Sequence, residues 1–377
     1  MQPTAPTTLS GGRLAAALAL RDLTDPATGP HAVQLAVELL EHAVATALDV
    51  PVLRHHGPRV VAVEENYDLL GYAPDDVTRS RRYTRYLGDG RMLRSHTSAH
   101  VPGLLRRLRA EGPDRVLLSV PGVCYRRDVI DRQHVGEPHQ LDLWLVHRTG
   151  PRLGDTELRT MIAAAVHALL PGAEIETPDS PHPYTTGGRE IYAYGVEVAE
   201  CGLAHPGVLS GAGLGPDASG LAMGLGLDRL VMLVKGVPDI RLLRAADPRV
   251  AAQMGDLAPY RPVSTMPAIG RDLSLALDGP PDAEDLGDRV RDVLGDRARS
   301  VEAVEVGAAT AYDDLPAAAR VRMGMSPGQW NVLLRIVLRD HDRSLTDADA
   351  NEVRDLVYRA LHAGDEGEWT APAGARR

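Results

Sequence analysis

Runs of apolar residues, spaced for strands in some places and for helices in others, indicate a mixed α+β protein. Residues 116–120 and 141–147 are apolar runs of strand length on either side of a loop rich in Arg, Asp and His. Residues 156–170 and 227–234 carry apolar positions at helical spacing. Residues 12–48 show the same spacing with one proline-containing break, which predicts two successive helices.

Shorter patterns fill the N-terminal part of the chain. Residues 59–64 follow a Gly-Pro turn and predict a strand, and residues 93–109 predict a turn followed by a helix. Residues 1–12 are rich in Pro, Thr and Gly and predict a disordered tail. We therefore assign residues 1–49 to a tail with helices and residues 50–250 to a first globular domain.

The C-terminal third follows a different order of elements, βαββα. The predicted elements are, in order, a strand within residues 260–278, a helix at 282–294, strands at 301–306 and 331–338, and a helix at 346–363. With a short final strand near residues 368–370, this order is typical of a ferredoxin-like plait. Residues 251–261 then form a linker, and residues 262–377 form a second domain.

Size and charge narrow the class of protein. The chain has 377 residues, of which 44% are hydrophobic, so it can bury two cores. Its formal net charge of −10 argues against a generally basic nucleic-acid coat, although local Arg patches can still contact phosphates. Two widely separated cysteines, Cys124 and Cys201, favour a reducing cytoplasm and argue against a zinc site. We also expect no membrane span and no signal peptide.

The most informative stretch is the charged loop between the two central strands, within residues 122–144. The sequence YRRD at residues 125–128 places cations at the end of a strand, where an Arg can hold a phosphate through two parallel hydrogen bonds. Gln140 and Asp142 lie two residues apart, so they share one face of the returning strand and suit a primary amine. A solvated surface hairpin is the simpler interpretation of such a loop.

A glycine-rich stretch at residues 219–233, SGLAMGLGLDRLVML, is the natural partner of the charged loop. Its small residues let another backbone or a ligand approach closely, and Asp228-Arg229 then begins a run with helical period. A glycine-rich segment alone is commonly only a turn. The order GxGLDR, about ninety residues after an arginine-bearing hairpin, is much more specific.

Together these stretches resemble motifs 2 and 3 of the class II aminoacyl-tRNA synthetases, and in particular the catalytic chain of the phenylalanyl-tRNA synthetase family. The family patterns run roughly YRRDxxDxTHxxxFHQxEG and GFAFGLGxxR. Residues 93–100, LRSHTSAH, also resemble its LRTHTSAH segment, and the similarity extends from about residue 50 to the end. The resemblance implies an antiparallel catalytic sheet flanked by helices. An anticodon-binding domain would follow on the same chain, as in the single-chain organellar form.

The resemblance also implies a reaction that uses ATP. Phenylalanine or a close aromatic analogue would form an aminoacyl-adenylate, and its acyl group would then pass to tRNA. Arg126 would hold the α-phosphate of ATP, and Arg229 would hold the γ-phosphate. His134 would contact the outgoing pyrophosphate, and Asp128 would help to orient the adenine.

Further residues follow from the resemblance for the amino acid and for a metal ion. The amino acid would be bound by His96, Ser98, Gln140, Asp142, His182, Tyr184 and Ala222. Mg²⁺ would bridge phosphate oxygens, with Glu190 or Glu197 as its ligand, bound directly or through water.

Several positions depart from the family pattern. Asp142 stands where the family has Glu, Glu200 stands where Gly is usual, and Val101 stands where Gln is usual. Residues 180–185, SPHPYT, correspond to the family's FPFT pocket strand, and His182 and Tyr184 stand where two phenylalanines pack on the substrate ring. Their polar atoms need partners. The pocket therefore reflects either avoidance of Phe or a hydroxylated, aminated or otherwise modified aromatic substrate.

The chain contains no phenylalanine, although Phe is an ordinary core residue and 11 tyrosines are present. At several positions where the family carries Phe, this chain has a different residue. A synthetase without Phe can be made when phenylalanyl-tRNA is scarce or mischarged. We hypothesise that the protein is a spare or resistance enzyme for such conditions.

Two other functions fit the sequence. An amino-acid activator of a biosynthetic or resistance pathway would load a carrier or a small molecule, but it would give the anticodon-like domain no task. A non-catalytic tRNA-binding regulator is the third possibility, and retention of both Arg126 and Arg229 argues against it. The expected partners are tRNA and an aromatic amino acid, in the cytoplasm, with the chain as a monomer or a homodimer.

Overall fold

A computed structural model describes residues 8–80, 83–127, 129–263, 266–340 and 343–367. The chain divides into two compact units. The first comprises Met1–Arg126, Glu137–Leu243 and Ala252–Tyr260, and the second comprises Arg127–Gly136, Arg244–Ala251 and Arg261–Arg377. Most of the charged loop therefore groups with the C-terminal unit. The domains predicted from sequence are continuous segments, and their boundaries stay a prediction.

The first unit is built from seven α-helices and ten strands among the described residues. The helices are α1 (Gly11–Ala19), α2 (Ala32–Leu48), α3 (Val63–Asn66), α4 (Val101–Glu111), α5 (Asp155–Leu169), α6 (Pro206–Gly211) and α7 (Leu227–Lys235). The strands are β1 (Val52–Arg54), β2 (Val60–Ala62), β3 (Tyr86–Gly88), β4 (Arg91–Leu93), β5 (Arg115–Val123), β6 (His139–His147), β7 (Ile175–Glu176), β8 (Thr185–Ala193), β9 (Val196–Ala204) and β10 (Ser219–Gly226).

Seven of these strands form one sheet, in the order β1-β5-β6-β10-β9-β8-β7. β1 runs parallel to β5, and the other neighbours are antiparallel. The two central strands predicted from the apolar runs are confirmed as β5 and β6, which pair with each other along their whole lengths. Three short strands form a second sheet, in the order β2-β4-β3.

The main apolar core of this unit packs on the central part of the large sheet. Alternate residues of β5 and β6, such as Leu118, Val120 and Trp144, join one buried cluster with the apolar side of α4, including Leu105. The period of two along the strands and the helical period along α4 bring these side chains to a common interior. The predicted helix at residues 93–109 is confirmed as α4, after a strand and a turn.

The N-terminal helices are also confirmed, with a 3-10 turn at Pro26–Thr28 between α1 and α2. Asp25 accepts a hydrogen bond from the Ala27 N–H, which suits the start of a turn. The His31 side chain caps α2 by accepting from the Val33 N–H at 3.1 Å. No helix in the described part of the chain has the length and apolar character that a membrane crossing requires.

The second unit contains the predicted βαββα order. Its described elements are α8 (Pro248–Ala251), β11 (Ile269–Leu277), α9 (Ala283–Leu294), β12 (Val301–Ala311), α10 (Ala317–Arg322), β13 (Trp330–Leu338) and α11 (Asp347–Leu361). The three strands form an antiparallel sheet in the order β11-β13-β12, and its buried face shares a core with α9 and α11. The final strand predicted near residues 368–370 lies outside the described residues, so the plait stays a prediction.

One local prediction was wrong. Residues 180–185 do not form a pocket strand, because β8 begins only at Thr185. Pro181 and Pro183 lack the N–H that a ladder needs, and the Thr185 N–H closes a turn onto the His182 carbonyl at 3.1 Å. The strand predicted at residues 59–64 is present as the shorter β2, after which the chain turns into α3.

Candidate active site

The register of the large sheet brings two predicted site residues, Asp142 and Glu190, into one row with Gly224 and Glu200. Gly224 of β10 faces Asp142 of β6 on one side and Glu200 of β9 on the other. Glu200 in turn pairs with Glu190 of β8. Directly paired residues present their side chains on the same face of a sheet. A methyl group built on Gly224 would lie 3.5 Å from Glu200 Oε1 and 3.8 Å from Asp142 Oδ1, so both carboxylates lie beside this glycine.

A bulge in β9 adds Glu197 to the same face. Ile191 pairs with Ala199, but the next residue, Tyr192, pairs with Glu197. The extra residue, Val198, shifts the alternation by one position. Glu197 and Glu200 are three residues apart and would lie on opposite faces of a regular strand. The bulge turns both of them to the face that carries Asp142.

Asp142 is the most tightly held of these carboxylates. Its side chain accepts hydrogen bonds from the Thr97 hydroxyl at 2.6 Å and the Ser98 hydroxyl at 2.7 Å, and the residue is 1% exposed. Burial raises its pKa to about 6, against the lowering effect of the two hydroxyl hydrogen bonds. Ser98 therefore orients Asp142. Gln140, two residues earlier on the same face, accepts a weak hydrogen bond from the Cys124 thiol at 3.4 Å.

Both predicted phosphate-binding arginines interact with carboxylates of β9, Arg229 by hydrogen bonds and Arg126 through its charge. Nη1 of Arg229 donates to the Glu197 carbonyl at 3.0 Å and to Glu197 Oε2 at 3.1 Å. Burial alone would raise the pKa of Glu200, but hydrogen bonds from His182 and Tyr184, with the charges of His182 and Arg126, lower it. Arg229 thus contacts Glu197 directly, whereas the positive charge of Arg126 acts on Glu200.

His182 and Tyr184 hold the Glu200 side chain between them. Nε2 of His182 lies 3.1 Å from Glu200 Oε2, and the Tyr184 hydroxyl donates to Glu200 Oε1. Burial opposes protonation of His182, but the hydrogen bond and charge of Glu200 outweigh it and raise the pKa of the imidazole. Tyr184 is 2% exposed, whereas the Glu200 side chain is 36% exposed.

Aromatic rings line the site next to these polar groups, and we call this set the aromatic wall. His96 stacks on Tyr72 with ring centroids 5.7 Å apart, and Tyr72 in turn lies 6.5 Å from Tyr184. Trp144 lies 5.9 Å from Tyr184. Burial lowers the pKa of His96 to about 4, so this imidazole is neutral at pH 7. Its Nε2 lies 3.3 Å from Asn66 Nδ2.

The wall includes residues that sequence reasoning missed. Tyr72 and Trp144 belong to no motif that we used, and Thr97 lies between the two predicted residues of LRSHTSAH without being singled out. Strand alternation could have found Trp144, because it is two residues beyond Asp142 on the same face. No sequence signal marks Tyr72, which follows a 3-10 turn.

Ala222 lies opposite Trp144 in β6 and opposite Gly202 in β9. Both Ala222 and Trp144 have 0% exposure, so a water-sized sphere reaches neither of them. The small side chain of Ala222 is thus fully covered.

The charged loop is anchored within the second unit. The Arg132 guanidinium donates to Glu302 Oε1, with its Nε at 2.7 Å, and the Ile130 carbonyl accepts from the Val304 N–H at 2.9 Å. His134 Nδ1 lies 2.7 Å from Asp131 Oδ2 in the same loop. Asp128, predicted to orient adenine, lies outside the described residues.

Both predicted magnesium ligands already accept hydrogen bonds from other side chains of the protein. Glu190 accepts hydrogen bonds from Ser180 at 3.0 Å and Tyr192 at 2.9 Å, and Glu197 accepts from Arg229. Among the described residues, no group of three or more His, Cys, Asp or Glu side chains lies close enough together to hold a metal ion by itself. Two carboxylates on one sheet face nevertheless fit Mg²⁺, which commonly takes one or two carboxylates and completes its shell with phosphate and water.

Comparison with known proteins identifies the family. The model of the class II core domain of tRNA synthetases (F) matches residues 29–254, which is more than half of the chain. The protein therefore belongs to the class II aminoacyl-tRNA synthetases, and the family and fold class predicted from the motifs are confirmed.

Two relatives within that class are named phenylalanine–tRNA ligases. The chloroplastic/mitochondrial phenylalanine–tRNA ligase of Arabidopsis thaliana is 29% identical over 323 residues, covering 80% of this chain and 70% of that protein. The phenylalanine–tRNA ligase alpha subunit of Acaryochloris marina is 30% identical over 254 residues, covering 65% of this chain and 75% of that protein. Among solved structures, pyrrolysyl-tRNA synthetase of Desulfitobacterium hafniense has 17% identity and a TM-score of 0.47, covering 58% of this chain and 74% of that one.

Proposed function

We propose that the protein is an aminoacyl-tRNA synthetase that activates phenylalanine or a close aromatic analogue with ATP and transfers it to tRNA. The observation that carries the proposal is that Asp142, Glu197 and Glu200 share one face of the sheet, where Arg229 binds Glu197 and the charge of Arg126 acts on Glu200. Two guanidinium groups on one face suit a triphosphate. The aromatic wall suits an aromatic side chain. The names of the relatives support the same substrate.

The first step joins the amino acid to AMP. A carboxylate oxygen of the amino acid attacks the α-phosphorus of ATP, and the bond to the bridging oxygen breaks to release pyrophosphate. Arg126 stabilises negative charge at the α-phosphate, and Arg229 does so at the γ-phosphate. His134 and Asp128 serve the pyrophosphate and the adenine. In the second step a terminal tRNA hydroxyl attacks the acyl carbon, loses its proton and displaces AMP. Positioning and charge stabilisation supply the catalysis.

The amino acid is held at both ends. Gln140 and Asp142 take its ammonium group, with His96 beside them and Ser98 acting through Asp142. His182 and Tyr184 belong to the side-chain end of the pocket, whereas Ala222 is fully covered and would act only through the packing of Trp144. Glu190 and Glu197 would hold Mg²⁺, which when bound neutralises phosphate charge.

The chain that follows the catalytic unit supports tRNA as the acceptor. The Arabidopsis relative aligns over 80% of this chain, which is further than the core-domain match reaches. The second unit, with its sheet and two packed helices, would bind the anticodon region. We place the enzyme in the cytoplasm.

The proposal is tested by ATP–pyrophosphate exchange with a panel of aromatic amino acids, followed by tRNA charging. We expect Arg126→Ala and Arg229→Ala each to lower the exchange rate by about 100-fold or more, because each removes charge stabilisation in the transition state. Arg106→Ala, an exposed arginine on α4, is the matched control and should leave exchange unchanged. Unaltered exchange in both site variants would refute the assignment, and exchange without tRNA charging would favour a carrier-loading enzyme.

A further inference from the structure

Glu200 is the one acidic side chain that the predicted roles leave without a task, although it lies at the centre of the site. It pairs with Gly224 of β10, which in turn pairs with Asp142 of β6, so the two carboxylates lie on either side of this glycine on one face of the sheet. The two carboxylates differ in access. Asp142 is 1% exposed with both oxygens hydrogen-bonded, whereas the Glu200 side chain is 36% exposed. Solvent, and therefore a ligand, can reach Glu200.

Glu200 is held in place and still has acceptor capacity. Tyr184 donates to one of its oxygens, and His182 Nε2 lies 3.1 Å from the other. A carboxylate oxygen can accept two hydrogen bonds, so each oxygen retains one acceptor position. These two donors restrain the rotamer, so little entropy is lost when a ligand donor binds. A carboxylate that is fixed by two hydrogen bonds and accessible to solvent can bind an N–H or O–H group of a ligand.

The apolar space beyond Glu200 is already filled. Trp144, on the same face as Asp142, lies opposite Ala222, and Ala222 lies opposite Gly202. The ring centroids of Trp144 and Tyr184 lie 5.9 Å apart. The indole therefore extends over Ala222 and Gly202 toward Tyr184. Trp144 and Ala222 have 0% exposure and Tyr184 has 2%. A substrate side chain that enters beside His182 and Tyr184 therefore meets a carboxylate rather than an apolar cavity.

We infer that Glu200 determines the specificity for the amino acid, by accepting a hydrogen bond from an amino or hydroxyl group on the ring of an aromatic substrate. The inference rests on the proposed function, because that function places the substrate side chain beside His182 and Tyr184. An unsubstituted phenyl ring would displace water from the carboxylate without replacing its hydrogen bond, which is unfavourable. A site that hydrogen-bonds an O–H or N–H group of its substrate discriminates strongly against an analogue without that group.

The test is ATP–pyrophosphate exchange by the full chain with phenylalanine, tyrosine, 3-hydroxyphenylalanine, 3-aminophenylalanine and 4-aminophenylalanine. For the wild type we expect kcat/KM for the best amino- or hydroxyl-bearing substrate to exceed that for phenylalanine by about 10-fold or more, the effect of one hydrogen bond to a charged group. Glu200→Gln and Glu200→Ala should reduce that ratio by about 10-fold, because they lower kcat/KM for the amino- or hydroxyl-bearing substrate and remove the penalty on phenylalanine. Glu176→Gln, an exposed carboxylate on the edge strand β7, is the control and should keep the wild-type ratio.

The outcomes separate the inference from the proposed function. If phenylalanine is the best substrate and the Glu200 variants keep the wild-type ratio, the inference is overturned while the synthetase function stands. If no amino acid supports exchange by the wild type, the proposed function fails and the inference fails with it. Thermal unfolding of each variant checks the fold, and Glu200→Gln keeps an acceptor for Tyr184 if the alanine variant is unstable.

Discussion

The imidazole of His139, the first residue of β6, lies 2.9 Å from Asp228 Oδ1 in the first turn of α7, through its Nδ1. Its Nε2 accepts from the Leu23 N–H at 3.0 Å, so the proton of a neutral ring is on Nδ1 and points to Asp228. The pair joins the strand of Gln140 and Asp142 to the helix of Arg229. It therefore fixes the two halves of the site relative to each other.

Removal of the Asp228 carboxylate should destabilise the first unit. Asp228→Ala leaves both the Nδ1–H and the backbone N–H of His139 buried without acceptors, at a cost of about 1–3 kcal/mol each. Asp228→Asn keeps one acceptor and should cost less. Urea unfolding monitored by tryptophan fluorescence measures both. Equal stability of Asp228→Ala and the wild type would contradict the proposed role of the pair.

Asp142 should make stability depend on pH in an unusual direction for a carboxylate. Its folded pKa is raised to about 6 from 3.8, so the folded state is relatively favoured when it is protonated. That contribution is present below pH 3.8 and is lost as pH rises through 6. Asp142→Asn removes the ionisation, so its stability relative to the wild type should improve by on the order of 2 kcal/mol between pH 4.5 and 7.5.

Thermal melts across this pH range test the Asp142 prediction, with the exposed Asp217→Asn as control. The same variant should lose amino-acid activation, since it removes the charge that pairs with the ammonium group. A difference from wild type that stays constant with pH would show that Asp142 does not titrate as described.

The Glu302 carboxylate should stabilise the second unit at neutral pH. It accepts hydrogen bonds from Arg132 and Arg339 and has only 3% side-chain exposure. Burial alone would raise its pKa, but the two arginines outweigh burial and lower it. The contribution is thus present above pH 4.5 and lost as pH falls through the folded pKa. Glu302→Ala should cost about 2 kcal/mol at pH 7, since both arginines can still be partly hydrated.

Hydrogen exchange provides a local measurement of the Glu302 effect. The Val304 N–H, which donates to Ile130, should exchange faster in Glu302→Ala, whereas Glu352→Gln, which removes the charge of an exposed ion pair with Arg297, should leave it unchanged. An unchanged exchange rate in Glu302→Ala would mean that the loop is held without this ion pair.

Gly122 should not tolerate a side chain. A Cβ at this position would lie 1.9 Å from Nη2 of Arg94, which is 1% exposed and donates to the Val123 and Gly57 carbonyls. Gly122→Ala should therefore destabilise the protein by about 1–3 kcal/mol. Gly103→Ala is the matched control, because no atom lies within 4 Å of its Cβ and it is inside α4. The control should be stabilised by about 0.5–1 kcal/mol.

The absence of phenylalanine predicts that synthesis of the protein continues when phenylalanyl-tRNA is limiting. We expect its production to persist when the main phenylalanyl-tRNA synthetase of the host is inhibited. A variant with Tyr67→Phe and Tyr184→Phe, otherwise identical, should stop being made. Pulse labelling of both proteins measures the difference, and simultaneous arrest of both would refute the hypothesis.

Sequence patterns were sufficient for the elements whose periodicity is strong. The alternation in β5 and β6 and the helical spacing in α5 and α7 gave their types correctly. The family resemblance failed at residues 180–185, where two prolines prevent the pocket strand that it implies. Nor could periodicity show that Val198 is an extra residue in β9, because a bulge is visible only when the partner strand is known. Contacts between distant parts of the chain place Glu197 and Glu200 on one face of the sheet. They also stack Tyr72 on His96.

The grouping of Arg127–Gly136 with the C-terminal unit limits how this protein can be divided, in the laboratory or in evolution. A truncation after Tyr260 would keep the loop but remove Asp288, Arg291 and Glu302, which hold it. An exchanged C-terminal segment would need matching residues at those three positions. A fragment cut at that point would therefore carry Arg127–Gly136 without the side chains that hold this segment.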